Sequence, residues 1–312
     1  MAITVVGSVA LDSITSAAGS VDGEVGGSAI HFSNAASLCS EVHVVGVVGG
    51  DYPFSRIEYL KKRGVDFSGL EVIPDGKTFY WKGRYEGDMS AAISEATELN
   101  VFQDFSPRVA GAAKDSKFLF LANIHPSLQL HVRKSMGPSA FTVLDSMNYW
   151  INTARAELFE VISCVDAVIL NGDEIRSLTG EGSLLAAARS LIARGPSYVV
   201  IKKGEHGVFA VSRDWLISLP AMPLEKVVDP TGAGDSFAGA LVGYLDCAGS
   251  LGVDVWRKAL AYATCVASFN VRDFSVKGIA SIGVRDVLAC FEEYSRLFEI
   301  RGGLDAVSHV AG

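Results

Sequence analysis

Short apolar runs, many of them β-branched, recur along the chain and alternate with longer segments in which apolar residues follow a helical spacing. The runs predict buried strands at residues 3–6, 42–48, 118–121, 141–144, 167–170 and 198–201. The helical spacing predicts helices at residues 29–38, 54–63, 154–161, 184–193, 235–245, 255–269 and 284–298. This alternation predicts one α/β domain over residues 1–312, with a mostly parallel sheet flanked by helices on both faces.

Residues 78–101 interrupt the alternation. They contain the segment T-F-Y-W-K-G-R-Y-E-G and a second β-capable stretch, which together predict a hairpin too polar and too aromatic for the main sheet. The Gly- and Ser-rich residues 11–25 are candidates for further strands of the same unit. We therefore expect a small β lid, built from segments near 11–25 and 78–101, over the carboxyl edge of the sheet, where open α/β folds bind ligands.

The predicted lid carries four aromatic residues, Phe79, Tyr80, Trp81 and Tyr85. They either stack on a bound ring and shield the reaction from water, or pack one lid against another between subunits. A hairpin that exposes this many aromatic side chains is not expected to stand alone. We expect a lid that is also the interface of a homodimer.

Composition narrows the class of ligand. The chain has 312 residues, 49% of them hydrophobic, and a formal charge of -8 from 27 Lys and Arg against 35 Asp and Glu. No clustered basic side chains are found, so nucleic acid is not an expected partner. No apolar stretch has membrane-spanning length and no basic leader precedes the first strand, so no membrane partner is expected and the cytoplasm is the expected location. The five cysteines suggest neither disulfides nor a zinc site.

The strongest chemical motif is the segment V-D-P-T-G-A-G-D-S-F at residues 228–237, a small-residue loop that runs into a helical pattern. Gly232, Ala233 and Gly234 allow close approach of an anion, which their N–H groups and the start of the helix would hold. Asp235 at the helix start is either a functional carboxylate or a favourable cap. For an isolated motif of this length the cap is the better interpretation.

The whole segment resembles the C-terminal signature of the ribokinase family, also called the PfkB carbohydrate kinases, in its D-x-x-G-A-G-D-x-F pattern. Further family landmarks follow in order along nearly the full chain: Gly7 with Asp12, Gly26-Gly27, Gly49-Gly50-Asp51, Asn171 to Glu174, and Lys202 to Gly207. The resemblance implies a ribokinase-like fold and ATP-dependent phosphorylation of a hydroxymethyl group of a sugar.

By this resemblance Asp235 takes the proton of the acceptor hydroxyl, while the amides of Gly232, Ala233 and Gly234 hold the charge that develops on the γ-phosphoryl group. Positioning and fixed dipoles of this kind supply most of the acceleration in phosphoryl transfer. The resemblance implies ATP and Mg²⁺ as cofactors and is compatible with a monovalent cation. It assigns the nucleotide side to Asn171, Lys203, Gly204, Gly207, Thr231, Gly232, Gly234 and Asn270.

Glu174 is the metal candidate, because Asn171 and Glu174 form the N-x-x-E pair that organises magnesium and phosphate in the family. Mg²⁺ favours a few carboxylates together with water and phosphates. The alternative is an ordinary helix start, with Asn171 as the cap and Glu174 at the third position. Lys202 and Lys203 either contact a phosphate directly or are solvated charges at the end of a strand.

The acceptor side is assigned to Asp12, Gly26, Gly27, His31 and Asn123, with His125, Asp145, Asn148 and Trp150 as secondary candidates. The sequence departs from the family at one of these positions. The common form is G-G-x-x-x-N, and here His31 stands in place of the sugar-binding asparagine, with Asn34 one helical turn away. His31 either forms a hydrogen bond with the acceptor or is a satisfied buried histidine.

Two other functions compete with a sugar kinase. A nucleoside kinase of the adenosine-kinase type shares the fold and the base, and His31, Phe32, Tyr80 and Trp81 could supply the aromatic wall that a nucleobase needs. A non-catalytic ATP-binding protein is disfavoured by the intact Asp235 and Glu174. A dehydrogenase is disfavoured as well, because residues 7–11 lack the G-x-G-x-x-G fingerprint.

Overall fold

The structure is a computed structural model that describes residues 2–87, 89, 91–137 and 140–299. The strands of these residues are, in chain order, β1 (Ala2–Val6), β2 (Ala10–Ser16), β3 (Gly19–Gly26), β4 (Glu41–Gly49), β5 (Val65–Ile73), β6 (Phe79–Tyr85), β7 (Ala92–Glu98), β8 (Phe118–Leu121), β9 (Phe141–Asp145), β10 (Ala167–Asn171), β11 (Tyr198–Lys202), β12 (Val208–Ser212) and β13 (Leu216–Leu219). The helices are α1 (Ser28–Ala36), α2 (Glu58–Lys62), α3 (Pro126–Ser135), α4 (Asn148–Thr153), α5 (Arg155–Ile162), α6 (Gly172–Thr179), α7 (Leu184–Ile192), α8 (Ala233–Ala248), α9 (Val253–Asn270), α10 (Lys277–Ala280) and α11 (Val284–Leu297).

Nine strands form the main sheet, in the order β13-β12-β11-β10-β9-β8-β1-β4-β5. The strands from β11 to β5 in this order pair in parallel, and β12 and β13 add an antiparallel edge. All six predicted strands lie in the parallel part. Their continuous apolar runs reflect burial on both faces. The predicted mostly parallel sheet of an α/β fold is confirmed.

The core has two layers, one on each face of the main sheet. Successive strand residues point to opposite faces, and Val5 packs in one apolar cluster while Val6 packs in the other. The first cluster includes residues of α1, α8, α9 and α11, and the second includes residues of α3, α5, α6 and α7. The prediction of helices on both faces is therefore confirmed.

Several elements went unpredicted or were predicted with the wrong form. Strand β5 mixes buried and exposed positions at one edge of the sheet, so it shows no apolar run. The helix predicted at residues 54–63 is instead a 3₁₀ turn, Phe54–Ile57, followed by the short α2. Helix α3 was not predicted. It begins at Pro126, in the first turn of the helix, where proline is well accommodated. No helix within the described ranges is long and apolar enough to cross a membrane.

A second, four-stranded sheet has the order β3-β2-β6-β7. Its strands come from the segments that the sequence assigns to the lid, and β2 and β6 pair in parallel at its centre. Strand β2 begins only four residues after β1 ends, so this sheet leaves the main body at the carboxyl edge of β1. Most of β7 is exposed. We refer to this four-stranded sheet as the lid sheet.

Candidate active site

The carboxyl ends of the parallel strands bring together residues that are far apart in sequence. Asp145 ends β9, Asn171 ends β10 and Lys202 ends β11. The register of the sheet sets Asn171 directly beside Lys202. Helix α8 begins at the same edge. Its second residue, Gly234, lies against Lys202, since a Cβ added to Gly234 would be 2.9 Å from Nζ of Lys202. The site is therefore built from several strand ends and one helix start.

The loop before α8 has a fixed backbone. Gly232 caps the helix in the left-handed region, at φ 70°, where glycine carries no steric cost. The carboxylate of Asp229 is fully buried and accepts the N–H groups of Thr231 and Ser275, each at 2.8 Å. Two hydrogen bonds to one buried carboxylate hold the loop in place before any ligand binds.

Two of the three predicted amides in this loop are available. The N–H of Ala233 donates to the carbonyl of Pro230 at 3.1 Å, so it serves the loop itself. The amides of Gly232 and Gly234 have no hydrogen-bond acceptor within the described residues. They lie at the positive end of the 16-residue α8, where the helix dipole favours an anion. The loop is thus suited to hold negative charge.

Asp235 is the third residue of α8 and the acidic residue of its first turn. Burial raises the pKa of Asp235 to about 7; the charge of Asp145 raises it further and the charge of Lys202 opposes the rise. The cap of the helix is Gly232 rather than Asp235. A carboxyl group that titrates near neutral pH beside an anion-binding loop is suited to accept a proton.

Asp145 and Lys202 form an ion pair, with 3.0 Å between Oδ2 and Nζ. Burial opposes the charged form of Lys202, but Asp145, Glu174 and Asp235 outweigh it, so the pKa of Lys202 lies above its ordinary value. Sequence reasoning missed this pair, since it considered Lys202 as either a phosphate contact or a solvated charge, and Asp145 as an acceptor contact. The available signal was that each residue directly ends a buried strand at the carboxyl edge.

Asn171 and Glu174 form a reciprocal capping box. Oδ1 of Asn171 accepts the N–H of Glu174 at 2.8 Å, and Oε2 of Glu174 accepts the N–H of Asn171 at 2.7 Å. The predicted alternative, an ordinary helix start capped by Asn171, therefore describes the local structure of these two residues. Burial also raises the pKa of Glu174 to about 7, with Lys202 opposing the rise and Asp145 adding to it. The carboxyl group belongs to the charged cluster as well.

The charged cluster does not form a closed metal cage. No set of three or more His, Cys, Asp or Glu side chains in the described part of the chain could hold a metal ion. Mg²⁺ keeps several waters and binds through one or two carboxylates together with nucleotide phosphates. Glu174 supplies one buried carboxyl group near Asp235, and this fits that mode of binding.

Asp12 faces the same cleft from β2. A Cβ added to Gly26 would lie 1.9 Å from Oδ2 of Asp12, and one added to Gly27 would lie 2.5 Å from the carbonyl of Ser8. The paired glycines therefore make room for Asp12 and for the turn into α1. Burial raises the pKa of Asp12 to about 7; the N–H of Gly27 opposes the rise, and Asp229 and Asp235 add to it.

His31 lies under the anion-binding loop. Its side chain is 1% exposed, and a Cβ added to Gly232 would lie 2.2 Å from its ring. Neither ring nitrogen has a hydrogen-bond partner within the described residues. Burial lowers the pKa of His31, and the charge of Asp229 and the nearby side chain of Asn270, which does not reach hydrogen-bond geometry, oppose that effect. His31 is therefore buried as its alternative supposed, but it is not satisfied.

Asn34 does not take over the role of the missing asparagine. Its Nδ2 donates to the carbonyl of Val276 at 2.9 Å, and its Oδ1 accepts the hydroxyl of Tyr59 at 3.0 Å. Both ends of the amide are used inside the core, where the residue is fully buried. Of His31 and Asn34, His31 is the residue whose polar atoms have no partner among the described residues.

Asn123 and the secondary candidates form a polar and aromatic group after β8 and β9. Nδ2 of Asn123 contacts Sδ of Met147 at 3.0 Å, while its Oδ1 is buried without a partner among the residues that the structure describes. His125 caps α3, and its ring packs edge-on against Trp150, with 4.9 Å between centroids. Nε1 of Trp150 is also buried without a partner among the described residues.

The predicted nucleotide-side residues fall into two places. Lys203, Gly204 and Gly207 form the turn between β11 and β12, where the N–H of Lys203 donates to the carbonyl of Gly207 at 2.8 Å. Asn270 lies beneath the anion-binding loop, fully buried. Its Nδ2 donates to the carbonyl of Thr231 at 2.8 Å, and its Oδ1 accepts the hydroxyl of Ser236 at 3.0 Å. Both polar ends of Asn270 thus support the loop.

The lid sheet touches the loop through Tyr85. The hydroxyl of Thr231 donates to the hydroxyl oxygen of Tyr85 at 3.0 Å. The other lid aromatics bind within or beside the lid: Tyr80 donates to Ser13 at 2.9 Å and Trp81 donates to Ser94 at 3.0 Å. Phe79 stacks on a residue outside the lid sheet, Phe102. Tyr85 is the lid aromatic that reaches the anion-binding loop.

Comparison with known proteins agrees with this geometry. A family model described as pfkB family carbohydrate kinase matches residues 3–279. A cytidine kinase of Thermococcus kodakarensis is 30% identical over 249 residues, which are 78% of this chain and 88% of the relative.

Solved structures share the fold. The Burkholderia thailandensis nucleoside kinase in complex with inosine superposes with a TM-score of 0.77 at 20% identity, over 96% of this chain and 100% of that one. The Arabidopsis thaliana ribokinase complexed with ribose and ATP gives 0.73 at 18% identity, over 93% and 98%.

Proposed function

This chain belongs to the pfkB family of carbohydrate kinases, and from that premise we propose that it transfers the γ-phosphoryl group of ATP to a hydroxymethyl group of a sugar. The chain is a phosphotransferase with an alcohol group as acceptor, in line with its kinase relatives. The observation that carries the proposal is Asp235, a buried carboxyl group next to the free amides of Gly232 and Gly234.

In the proposed reaction Asp235 accepts the proton of the acceptor hydroxyl as the acceptor oxygen attacks the γ-phosphorus. The amides of Gly232 and Gly234 and the start of α8 stabilise the charge on the phosphoryl oxygens. A positioned base of this kind contributes about 10²- to 10⁴-fold. Asp12 would orient the acceptor, because a carboxylate accepts two sugar hydroxyls at once.

ATP and Mg²⁺ are the proposed cofactors. Glu174 and Asn171 would organise the Mg²⁺ ion through water, and the ion would offset the charge of the phosphates. The turn formed by Lys203, Gly204 and Gly207 would border the nucleotide. We extend the proposal to a monovalent cation on the family resemblance alone, and comparison of turnover in potassium and in N-methylglucamine chloride tests it.

A nucleoside acceptor is the second candidate. It is favoured by His31 in place of the family's sugar-binding asparagine, and by the aromatic group of His125 and Trp150 beside Asn123. A nucleobase requires an apolar and aromatic wall with a few polar contacts, and these residues offer one. The cytidine kinase among the relatives is consistent with this second acceptor class.

A thermal-shift panel of pentoses, hexoses and nucleosides, followed by detection of the phosphorylated product with Mg-ATP, tests both candidates. A ligand at 100 times its dissociation constant stabilises the folded state by about 2.7 kcal/mol. Stabilisation by sugars alone, with a sugar phosphate as product, supports the proposal. A nucleoside monophosphate as the product would contradict the sugar-kinase proposal and support the nucleoside kinase instead. ATP binding without any phosphorylated product would contradict both.

We also propose a homodimer that forms through the lid sheet, in the cytoplasm. The exposed strand β7 and the partly exposed Ile93 on it support the dimer, since an uncovered strand edge is suited to pairing. The five cysteines are all free thiols, which supports a reducing compartment. Sedimentation of the wild type and of Ile93→Lys tests the dimer, and an unchanged monomeric boundary for the wild type would contradict it.

A further inference from the structure

The ammonium group of Lys202 is mostly buried and lies beside the anion-binding loop. Its side chain is 19% exposed, and its Nζ lies 3.0 Å from Oδ2 of the buried Asp145. A Cβ added to Gly234 would lie 2.9 Å from the same Nζ. The ammonium group therefore sits against the backbone of the loop, beside one of the two free amides. Gly234 leaves the space that this contact requires.

The ammonium group has donors to spare. It carries three N–H groups, and Asp145 accepts one of them. Glu174 and Asp235 also act electrostatically on Lys202, so the remaining donors lie within the charged cluster. Within the described residues, Lys202 is the cation that acts on Asp235. Negative charge that develops beside Asp235 would therefore be stabilised by Lys202.

The cluster is acidic, so a phosphoryl group that enters it depends on Lys202 and the free amides for its donors. Asp145, Glu174 and Asp235 contribute three carboxyl groups against one ammonium group. A buried ion pair by itself is weak evidence for stability, because desolvation offsets most of the attraction. A lysine kept at this point, with the free amide of Gly234 beside it, has the donors that a phosphoryl group needs.

We propose that Lys202 is a catalytic residue that donates to the transferred phosphoryl group, and that Asp145 is the positioning residue that holds it there. This inference rests on the proposed kinase function. The acceptor O–H gives its proton to Asp235, and the acceptor oxygen forms the new bond to the γ-phosphorus. The bond from that phosphorus to ADP breaks, and its electron pair leaves on the ADP oxygen. Lys202 keeps its proton and offsets charge on the phosphoryl oxygens.

The Lys202→Met variant keeps the apolar stem and removes the charge. We expect kcat to fall about 10²-fold, as when one donor to a transition state is removed, with the affinity for ADP unchanged. Lys202→Arg should recover part of the rate. Lys117→Met is the matched control, because Lys117 is exposed and precedes β8 at the opposite edge of the sheet. A purely structural Lys202 would instead lower the melting temperature and leave kcat within about tenfold of the wild type.

A double-mutant cycle separates the two roles. Asp145→Asn alone should lower kcat less than Lys202→Met does, because the lysine remains but loses its anchor. In the Lys202→Met background the same substitution should cost nothing further, since Asp145 acts through Lys202. Additive losses would overturn the positioning role of Asp145.

An assay independent of the acceptor tests Lys202 directly. The probe is MgADP, titrated calorimetrically with and without aluminium fluoride, which mimics the planar phosphoryl group. We expect aluminium fluoride to tighten ADP binding by the wild type and not by Lys202→Met. An equal gain in the variant overturns the role of Lys202 and leaves the kinase function standing. No gain in the wild type overturns the proposed phosphoryl transfer, and this inference with it.

Discussion

The two halves of the cleft differ in how their polar groups are satisfied. On the phosphoryl side they are bound to one another: Asp145 pairs with Lys202, Asn171 and Glu174 cap each other, and Asp229 holds the loop. On the side that the family resemblance assigns to the acceptor, buried polar atoms lack partners within the described residues. These atoms are both ring nitrogens of His31, Oδ1 of Asn123 and Nε1 of Trp150.

This difference assigns different tasks to the two halves. A buried polar atom without a partner costs about 1–3 kcal/mol, so it is retained where a ligand can satisfy it. In the phosphoryl half these side chains are paired before any ligand arrives and the amides of Gly232 and Gly234 are left free, which suits fixed chemistry on a phosphate. The acceptor half is left incomplete, which suits recognition of one particular substrate. Changes in the first half should therefore alter the rate, and changes in the second should alter acceptor binding.

The largest effect is expected on the phosphoryl side, for Asp235→Asn. The amide keeps the size of the side chain but cannot take the acceptor proton, so kcat should fall about 10²-fold or more. Affinity for ADP and the melting temperature should persist. Asp214→Asn, an exposed carboxylate in the turn before β13, is the matched control. If Asp235→Asn kept more than about a tenth of wild-type kcat, Asp235 would not be the base.

The second prediction concerns pH. Asp235 must be ionised to accept a proton, and burial sets its pKa at about 7. We expect kcat/KM to fall about tenfold for each pH unit below that value. Asp12 and Glu174, with pKa values also about 7, would steepen the fall if the acceptor and Mg²⁺ require them ionised. A profile that stays flat from pH 8 to pH 5.5 would contradict this titration.

Stability should move in the opposite direction in the ligand-free protein. The folded pKa of Asp12, Glu174 and Asp235 is raised, so the folded state binds more protons than the unfolded chain between about pH 4 and 7. The free energy of unfolding should therefore be highest near the acid end of that window and decrease as pH rises through 7. Urea denaturation at pH 5.5 and 8 measures it. Asp235→Asn should reduce the difference, and an unchanged difference would argue against the contribution of Asp235.

A smaller effect is expected on the acceptor side, for His31→Ala. Loss of the imidazole should raise the KM for the acceptor and leave the KM for ATP unchanged, because the family resemblance assigns this position to the acceptor and the ring nitrogens have no partner among the described residues. His131→Ala, at an exposed position on α3, controls for loss of a histidine. A lower melting temperature with both KM values unchanged would make His31 a core residue only.

The smallest effect is expected where the halves meet, for Tyr85→Phe. This change removes the hydrogen bond with Thr231, which contributes about 1 kcal/mol or less to stability. We expect a few-fold rise in the KM of the acceptor if lid closure matters, with kcat nearly unchanged. Tyr244→Phe, on the far part of α8, is the matched control. Identical kinetics in both variants would remove the lid contact from the mechanism.

The sequence by itself determined the fold and the type of reaction. Six apolar runs identified the strands of the parallel sheet, because strands buried on both faces leave a continuous local signal. The motif from Asp229 to Phe237 indicated an anion-binding loop, because glycine and a helix start in succession give a local backbone suited to an anion, and its resemblance to the family signature assigned that anion as a phosphoryl group. Strand β5, with mixed burial at the sheet edge, left no such signal.

Only the tertiary structure decided which side chains meet. Asp145 and Lys202 are 57 residues apart and meet because β9, β10 and β11 are aligned side by side. His31 matches the position of a sugar-binding asparagine, yet the packing of α1 under Gly232 buries it without a partner. Local pattern depends on neighbours along the chain, whereas pairing and burial depend on strand register and helix packing across it. The type of reaction could therefore be predicted from the sequence, whereas the arrangement of the acceptor half could not.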